Sequence, residues 1–295
     1  MQVDPTYDKP QLRQLAALIS HAAFKRLASS TNQSAYIRRM KRLAGFRQLS
    51  NNRPSNLNEL ISFSYKILEQ HYRHEYIYKN KLLNDYVLKH FALTDSVLLN
   101  EFRVGSSIAD AVLINGSSKV FEIKTELDNL ERLERQLADY YKAFTEIYLF
   151  THYSLLDKYV QLIPGQVGIL LYNESGDVVE FRAAKSYSQA LEITCMVGSL
   201  RKPEYTKMVK RLTGSLPEAT PAFFYKKCIE LLSLHSTSDV QGAFCAVLKD
   251  RMDNRVNSQI QAGELPAYLN FSFYQAKYDE KAYLRLVNNL SKNIL

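Results

Sequence analysis

Two short apolar segments joined by an Asn-Gly turn constrain this chain more than any other feature of its sequence. Residues 108–114 and 119–123 are rich in β-branched and aliphatic side chains, and Asn115-Gly116 lies between them. Asn-Gly readily adopts the tight turn whose twist matches that of a hairpin, so the pattern predicts two adjacent antiparallel strands. A strand that is apolar on both faces also predicts burial of this hairpin inside a sheet.

Three charged side chains interrupt these apolar strands. Side chains alternate faces along a strand, so Glu122 and Lys124 share one face, and Asp110 can meet them from the neighbouring strand. A buried acid is costly unless a cation or hydrogen bonds compensate it. Two carboxylates suit Mg²⁺ or Mn²⁺, and a lysine can stabilise the charge of a phosphate transition state. The spacing alone leaves a second interpretation open, a structural salt bridge from Lys124 to one of the acids.

The surrounding segments extend the hairpin to three strands, a helix and a fourth strand. Residues 96–102 predict a strand before the hairpin, and residues 146–150 predict a strand after the helix. A helical segment upstream of the first strand carries Glu75, which we expect to be an extra metal ligand or a solvated acid. Glu59 and Glu69 also lie in predicted helices and are alternatives for that position.

The helix predicted between the third and fourth strands has an apolar and a polar side. The residues of the apolar side recur at helical spacing and are Leu130, Leu133, Leu137, Tyr140 or Tyr141, and Phe144. Arg132, Gln136 and Tyr140 follow one another at intervals of four on the polar side. Asp128 is four residues before Arg132, so an ion pair between them on the helix surface is expected.

The run of Glu75, Asp110 and Glu122-Ile123-Lys124 followed by Gln136-x-x-x-Tyr140 resembles the PD-(D/E)xK nuclease superfamily. With Asp128, Arg132 and Leu133, it looks more narrowly like a poorly characterised bacterial family assigned to that superfamily. The resemblance covers about residues 70–172 and implies an α/β fold with a restriction-endonuclease-like αβββαβ core. It also implies a divalent-metal nuclease activity. The chain has Ala109 where the superfamily name implies proline.

The resemblance also implies roles for individual residues. Asp110, Glu122 and Lys124 correspond to the catalytic set, and Glu75 joins the two carboxylates as a ligand of Mg²⁺ or Mn²⁺. Gln136 and Tyr140 match an element that contacts DNA in RecB-like members.

Two arginines near this motif are further candidates for nucleic-acid contact. Arg132 lies on the same predicted helix face as Gln136. Arg103 follows Glu101 at the end of the first strand, where it can bind phosphate or form an ion pair with that acid. Of these two interpretations of Arg103, we favour the ion pair.

Basic residues are concentrated at the start of the chain. The net charge is +8, and residues 1–50 contain nine lysines and arginines but only two acids. The nine are Lys9, Arg13, Lys25, Arg26, Arg38, Arg39, Lys41, Arg42 and Arg47. We interpret the run of Arg38, Arg39, Lys41 and Arg42 as a nucleic-acid contact, because clustered cations release counterions from a polyanion. A solvated helix face is the alternative, and the apolar face is too short to favour a membrane surface.

Composition limits the remaining possibilities. A chain of 295 residues with 46% hydrophobic and 23% charged residues is typical of an ordinary globular protein. No apolar stretch approaches the ~18 residues of a membrane span, and no signal-peptide pattern is visible. The three cysteines lack the spacing of zinc sites or disulfide frameworks. We therefore expect a cytoplasmic protein.

The sequence predicts three regions. A basic helical arm spans residues 1–54, with helical periodicity over about 11–28 and 33–45, and the nuclease-like core spans 55–185. Residues 186–295 form a helical region that we expect to present a surface for a protein partner. Within residues 55–185, Asn56 and Glu59 have the spacing of a helix cap.

The leading functional hypothesis is hydrolysis of DNA phosphodiester bonds by a bacterial metal-dependent nuclease, in defence against foreign DNA or in repair. A catalytically silent nucleic-acid-binding or regulatory subunit is the alternative. An RNA-processing nuclease would use the same residues.

Overall fold

The computed structural model describes residues 7–46, 53–129 and 131–294. Over these ranges the protein is mixed α/β, with one six-stranded mixed sheet and flanking helices. Leu130, Arg47 and part of the predicted arm lie outside the described residues. Within those ranges, no helix combines the length and the apolar character needed to cross a membrane.

Most of the helices come before the first strand or after the last strand along the chain. The α-helices of the described ranges are α1 (Lys9–Leu18), α2 (His21–Ser29), α3 (Ser34–Leu43), α4 (Leu57–His71), α5 (Glu75–Lys81), α6 (Leu88–His90), α7 (Leu133–Tyr141), α8 (Leu156–Leu162), α9 (Ile193–Gly198), α10 (Lys202–Thr213), α11 (Pro221–Leu232), α12 (Thr237–Lys249), α13 (Asn254–Gln261), α14 (Asn270–Ala276) and α15 (Glu280–Leu290). The strands are β1 (Val97–Val104), β2 (Ser107–Ile114), β3 (Ser118–Lys124), β4 (Glu146–His152), β5 (Gly168–Tyr172) and β6 (Val178–Arg182). A π-helix, Leu82–Val87, links α5 to α6.

The chain divides into two units. A helical unit combines Met1–Lys89 with Asp253–Leu295, and a sheet unit comprises His90–Met252. The boundaries predicted at residues 54 and 185 do not coincide with this division. In the helical unit α15 packs on α2, so the two ends of the chain share one core, a pairing that sequence periodicity alone does not reveal.

Two helix boundaries in the helical unit follow from capping side chains. The helix predicted over residues 11–28 is two helices, because the Ser20 hydroxyl accepts a hydrogen bond from Ala23 N at 3.2 Å and starts α2. The cap predicted at Asn56 is present, since its side chain accepts from Glu59 N at 2.9 Å. The Glu59 carboxylate in turn accepts from Ser55 N at 2.7 Å.

The six strands lie side by side in chain order. β1, β2 and β3 are successive antiparallel neighbours, β3–β4 and β4–β5 are parallel, and β6 is antiparallel to β5. The predicted hairpin is β2–β3, with Val112 opposite Val120 and a turn in which Gly116 has φ of 93°. Parallel neighbours need a crossover, which α7 provides between β3 and β4 while packing on β2 and β4.

Asp139 joins α7 to the turn between β1 and β2. Its Oδ2 accepts hydrogen bonds from the hydroxyls of Ser106 and Ser107, each at 2.8 Å. Gly105, in the same turn, has φ of +57°, and a Cβ there would lie 3.0 Å from Asp139 Oδ1. Loss of solvation disfavours the charged carboxylate, but the bonds from Ser107 and Ser106 outweigh it, so the pKa of Asp139 is lowered. This contact sets the position of α7 over β2.

The packing at Gly168, the first residue of β5, generates a stability prediction. A Cβ at this position would lie 2.5 Å from two carbons of the Tyr148 ring and 2.7 Å from Ala184 N. We expect Gly168→Ala to lower the free energy of unfolding by about 1–3 kcal/mol in a urea titration, because the ring and the backbone must move apart. Gly165→Ala is the matched control, since nothing lies within 4 Å of a Cβ there. Equal effects of the two substitutions would contradict this packing.

The lowered pKa of Asp139 makes the stability of the sheet unit depend on pH. The folded pKa lies below the unfolded value of about 3.9, so the stabilisation is complete above that value and is lost as pH falls through the folded pKa. We expect Asp139→Asn to be about 1–2 kcal/mol less stable than the wild type at pH 7, and the difference to shrink in acid. Urea unfolding from pH 7 to pH 2 measures this. A difference that does not change with pH would show that the charge is not the stabilising feature.

Candidate functional site

The site forms where the ladder between β2 and β3 ends. The last backbone pair is Ala111 with Phe121, and the next residues on the two strands are Asp110 and Glu122. There the Asp110 side chain replaces a backbone partner, since its Oδ2 accepts a hydrogen bond from Ile123 N at 2.7 Å. The carboxylate of Asp110 is therefore held against β3, beside the backbone of the residue that follows Glu122.

Glu122 is the buried centre of the site. Its residue exposure is 1%, and both of its carboxylate oxygens have partners. Oε1 accepts from Lys124 Nζ at 2.6 Å, and Oε2 lies 2.6 Å from the Tyr140 hydroxyl. Lys124 also donates to Gln136 Oε1 at 3.1 Å. The predicted face of β3 thus carries a closed hydrogen-bond network in which one negative and one positive charge compensate each other.

Tyr140 and Gln136 belong to this network, although the sequence predicted them on a polar, DNA-contacting side of the helix. Tyr140 is fully buried, with its hydroxyl also 2.9 Å from the carbonyl of Ile108. Gln136 is half-buried, and its Nε2 lies 3.4 Å from the same hydroxyl. Of the predicted polar side, Gln136 and Tyr140 therefore face the buried end of β3, whereas Arg132 is exposed. Burial, together with the charge of Glu122, raises the pKa of Tyr140 far above its ordinary value, so its hydroxyl remains a neutral donor.

The segment between β3 and α7 corrects a second expectation. The helix begins at Leu133, with Arg132 as its N-cap, so Asp128 lies in the preceding turn and does not share a helix with Arg132. Asp128 Oδ2 instead accepts from the backbone N and the hydroxyl of Thr125, each at 2.8 Å. These short-range hydrogen bonds hold a turn and compete with helix formation, which explains the later start of α7.

The parallel pairing of β3 and β4 brings further polar residues to this end of the sheet. Lys124 is in register with Thr151, whose hydroxyl donates to the Lys124 carbonyl at 2.7 Å. The next residue, His152, has its Nδ1 3.6 Å from Glu126 Oε1. The sequence motifs predicted no role for Thr151 or His152. A signal was present, because the carboxyl ends of adjacent parallel strands meet at one edge of a sheet.

Tyr159 of α8 was also missed, and its hydroxyl is the unusual polar atom of the site. The side chain is fully buried, and the hydroxyl has no hydrogen-bond partner among the described residues. Burial raises the pKa of Tyr159 to about 12, and the charges of Asp128 and Glu122 add to the shift. Buried hydroxyls normally have a hydrogen-bond partner, so the Tyr159 hydroxyl is an exception that sequence periodicity does not reveal.

The remaining candidates of the sheet unit lie at its surface. Arg103 is exposed on β1, and Arg132 is exposed immediately before α7. Glu101 has φ of 51°, which is rare for a residue other than glycine, and it lies between the Asn100–Ala111 and Phe102–Ala109 pairs of the β1–β2 register. Strained backbone of this kind costs about 1–3 kcal/mol and clusters at functional sites.

The other predicted site residues belong to the helical unit. Glu75 begins α5, its side chain is 58% exposed, and its carboxylate forms an ion pair with Lys79 at 2.5 Å. Its role as a metal ligand stays a prediction. Arg38, Arg39, Lys41 and Arg42 all lie on α3.

The amino-acid sequence matches the model of a known family over residues 68–266, which is more than half of the chain and spans all six strands. That family is described as bacteriophage P4 protein cII. The chain belongs to this family.

Two individual proteins resemble the chain over shorter stretches. Protein cII of Enterobacteria phage P4 is 28% identical over 102 residues, which make up 34% of this chain and 39% of the relative. The match thus spans well under half the length of that relative. A structure of a protein of unknown function from Silicibacter pomeroyi is 17% identical and covers 34% of this chain and 66% of its own, with a TM-score of 0.27. That likeness is too small to support an argument about fold or function.

The compensation of Glu122 by Lys124 can be measured as an interaction energy. We expect Lys124→Met to lower the free energy of unfolding by about 3 kcal/mol, because it leaves a buried carboxylate without its cation. In a protein that already carries Glu122→Gln, Lys124→Met should lower the free energy of unfolding by only about 1 kcal/mol, because no uncompensated charge remains. A double-mutant cycle with urea unfolding gives the coupling. Additive effects would contradict the buried pair.

Proposed function

We propose that the sheet unit is a divalent-metal-dependent nuclease built on a restriction-endonuclease-like αβββαβ core. The observation that carries the proposal is the convergence of Asp110, Glu122 and Lys124 at one end of β2 and β3, with Glu122 buried and oriented by two donors. The order of three strands, crossover helix and parallel fourth strand agrees with such a core. A buried, fully oriented carboxylate is costly to a fold and is typical of a reactive site.

The donor set is suitable for Mg²⁺ or Mn²⁺. Mg²⁺ commonly binds through one or two carboxylates and completes its octahedron with water and substrate phosphate, and Asp110 and Glu122 supply two carboxylates. Among the described residues, no group of three or more His, Cys, Asp or Glu side chains gathers as a metal site, so water and phosphate would complete the coordination.

A divalent ion at this site would supply a more acidic bound water and would neutralise the charge that develops on the phosphate. Each side chain of the network has its own task. Tyr140 holds Glu122 by a hydrogen bond at 2.6 Å and remains protonated, and Gln136 restrains the Lys124 ammonium. Lys124 can then donate to a phosphate oxygen as negative charge grows on it.

In the reaction, the oxygen of water bonds to phosphorus, and the bond from phosphorus to the leaving oxygen breaks. The leaving oxygen takes up a proton, so the products are a phosphomonoester and a free hydroxyl. The restrained positions of Asp110, Glu122 and Lys124 reduce the reorganisation that this step requires.

One observation favours a second candidate, a nucleic-acid-binding unit without catalysis. Both oxygens of Glu122 are engaged, by Lys124 and by Tyr140, so a metal must share or displace these partners. Carboxylate oxygens have two lone pairs each, which allows sharing. If displacement is required and costs too much, the network is a structural salt bridge and the unit binds without cleaving.

The nuclease proposal predicts metal-dependent cleavage that depends on the site acids. We expect linear, circular or single-stranded DNA to be cleaved with Mg²⁺ or Mn²⁺ and not with EDTA, and Asp110→Asn to lower the rate by about 10²-fold or more. Lys124→Met should have a similar effect on turnover. RNA substrates assayed in parallel distinguish a DNA nuclease from an RNA-processing one.

Glu174→Gln is the matched control, because it removes an exposed acid from the turn between β5 and β6. Circular dichroism must show that each variant is folded at the assay temperature. The absence of cleavage by the folded wild type on every substrate, with DNA binding unchanged in Asp110→Asn, would replace the nuclease by the silent binding unit.

A further inference from the structure

A cavity of about 980 Å³ opens in the helical unit beside α3. We call it the α3 cavity. The described residues that line it are Ala35, Arg38, Arg39, Lys41, Arg42, Gly45, Phe46 and Arg53. Five of these eight residues are cationic, and none is acidic. A volume of this size is much larger than one phosphate ion needs and can take a ligand with several charged groups.

Four of the five cations that line the α3 cavity have no carboxylate partner among the described residues. Within the described ranges, no acid forms an ion pair with Arg38, Arg39, Lys41 or Arg42. The Lys41 ammonium instead donates to the carbonyl of Ile294 and lies 4.6 Å from the centre of the Phe46 ring. Like charges one turn apart on a helix repel each other, so this arrangement destabilises the free protein. A bound anion would remove that repulsion.

The other side of α3 shows why these cations face a cavity. Met40 is fully buried and Leu43 is 5% exposed, because this side packs against α1 and α4. The apolar face of α3 is thus occupied within the unit. A helix that binds a membrane surface needs its apolar face free to enter the lipid, so the structure argues against a membrane partner.

The cations of the α3 cavity suit phosphate groups in particular. Arginine presents a planar fork that matches the oxygens of phosphate, and Arg38, Arg39 and Arg42 come from one helix while Arg53 joins them from the segment before α4. Phe46 is only 9% exposed and is covered by Lys41 and Arg53, so it offers no platform for stacking a base. Contacts of this type hold a nucleic-acid backbone and carry no sequence information.

We propose that the α3 cavity binds consecutive phosphates of a nucleic-acid strand without reading its bases. The site is independent of the hydrolysis proposed for the sheet unit, because it contains no group that acts on a phosphodiester. Arg53 is an addition to the basic run that the sequence shows at residues 38–42. It is eleven positions beyond Arg42 in the chain and lies near the run only in the folded protein.

The test is the affinity of the full chain for a fluorescently labelled single-stranded 20-mer, measured by anisotropy in EDTA so that no strand is cut. The cavity variant is Arg38→Gln combined with Arg42→Gln, two exposed residues whose loss leaves the core intact. Lys25→Gln combined with Arg26→Gln is the matched control, since it removes two exposed charges from α2 outside the cavity lining.

We expect the cavity variant to raise Kd on the order of tenfold near 0.1 M salt and to reduce the slope of log Kd against log salt by about 1–2. The control pair should change Kd by less than about threefold. Oligonucleotides of different sequence should respond alike. Equal changes in Kd for the two double variants would overturn the proposed site, because the affinity would then depend on net charge alone.

Two further probes test the identity of the ligand. These probes are inorganic tripolyphosphate and vesicles of phosphatidylserine and phosphatidylcholine. The contrary outcome is that binding of one of them requires Arg38 and Arg42 while binding of the oligonucleotide does not. Either result would overturn the nucleic-acid assignment in favour of a soluble polyphosphate or a lipid surface. Oligonucleotide binding is measured without divalent metal, so failure of the nuclease proposal does not change the binding result. Conversely, failure of the α3 cavity to bind the oligonucleotide does not change the result of the metal-dependent cleavage assay.

Discussion

The sheet unit depends on the neutralisation of one buried carboxylate. Glu122 is almost completely excluded from solvent, and its charge is tolerated only because Lys124 and Tyr140 each donate to it at 2.6 Å. These partners come from β3 itself and from the crossover helix α7. The position of α7 is therefore coupled to the electrostatics of the strand end, and the strand end is where the proposed chemistry takes place.

Hydrogen bonds also hold α7 at a second point of the sheet unit, the turn between β1 and β2. Asp139 accepts hydrogen bonds from the serines of the β1–β2 turn, while the next residue, Tyr140, reaches Glu122 and the carbonyl of Ile108. One helix thus links the turn, the edge of β2 and the end of β3. A substitution that moves α7 should alter the arrangement of Asp110 and Glu122 without touching either residue, which is the behaviour expected of a support for a reactive site.

The helical unit poses a different electrostatic problem. Its α3 cavity gathers five cations without an acid in its described lining, and the sheet unit contains the site in which acids and a lysine converge. Uncompensated positive charge favours a polyanion, whereas a compensated acid–lysine network favours a metal and a reacting phosphate. The two proposals therefore concern separate binding and hydrolytic events, although a single nucleic-acid strand is suited to both.

Local patterns in the sequence determined the strands, their order along the chain and the strands that carry Asp110, Glu122 and Lys124, because apolar alternation and an Asn-Gly turn act over a few residues. The cap at Asn56 follows from similarly short-range contacts. Tertiary structure alone decided that Tyr140 faces inward, that Thr151 lies beside Lys124, and that Arg53 joins Arg38 in one cavity. It also decided that both ends of the chain share one unit. These features depend on parallel pairing, crossover packing and contacts between residues distant in sequence, which local periodicity cannot encode.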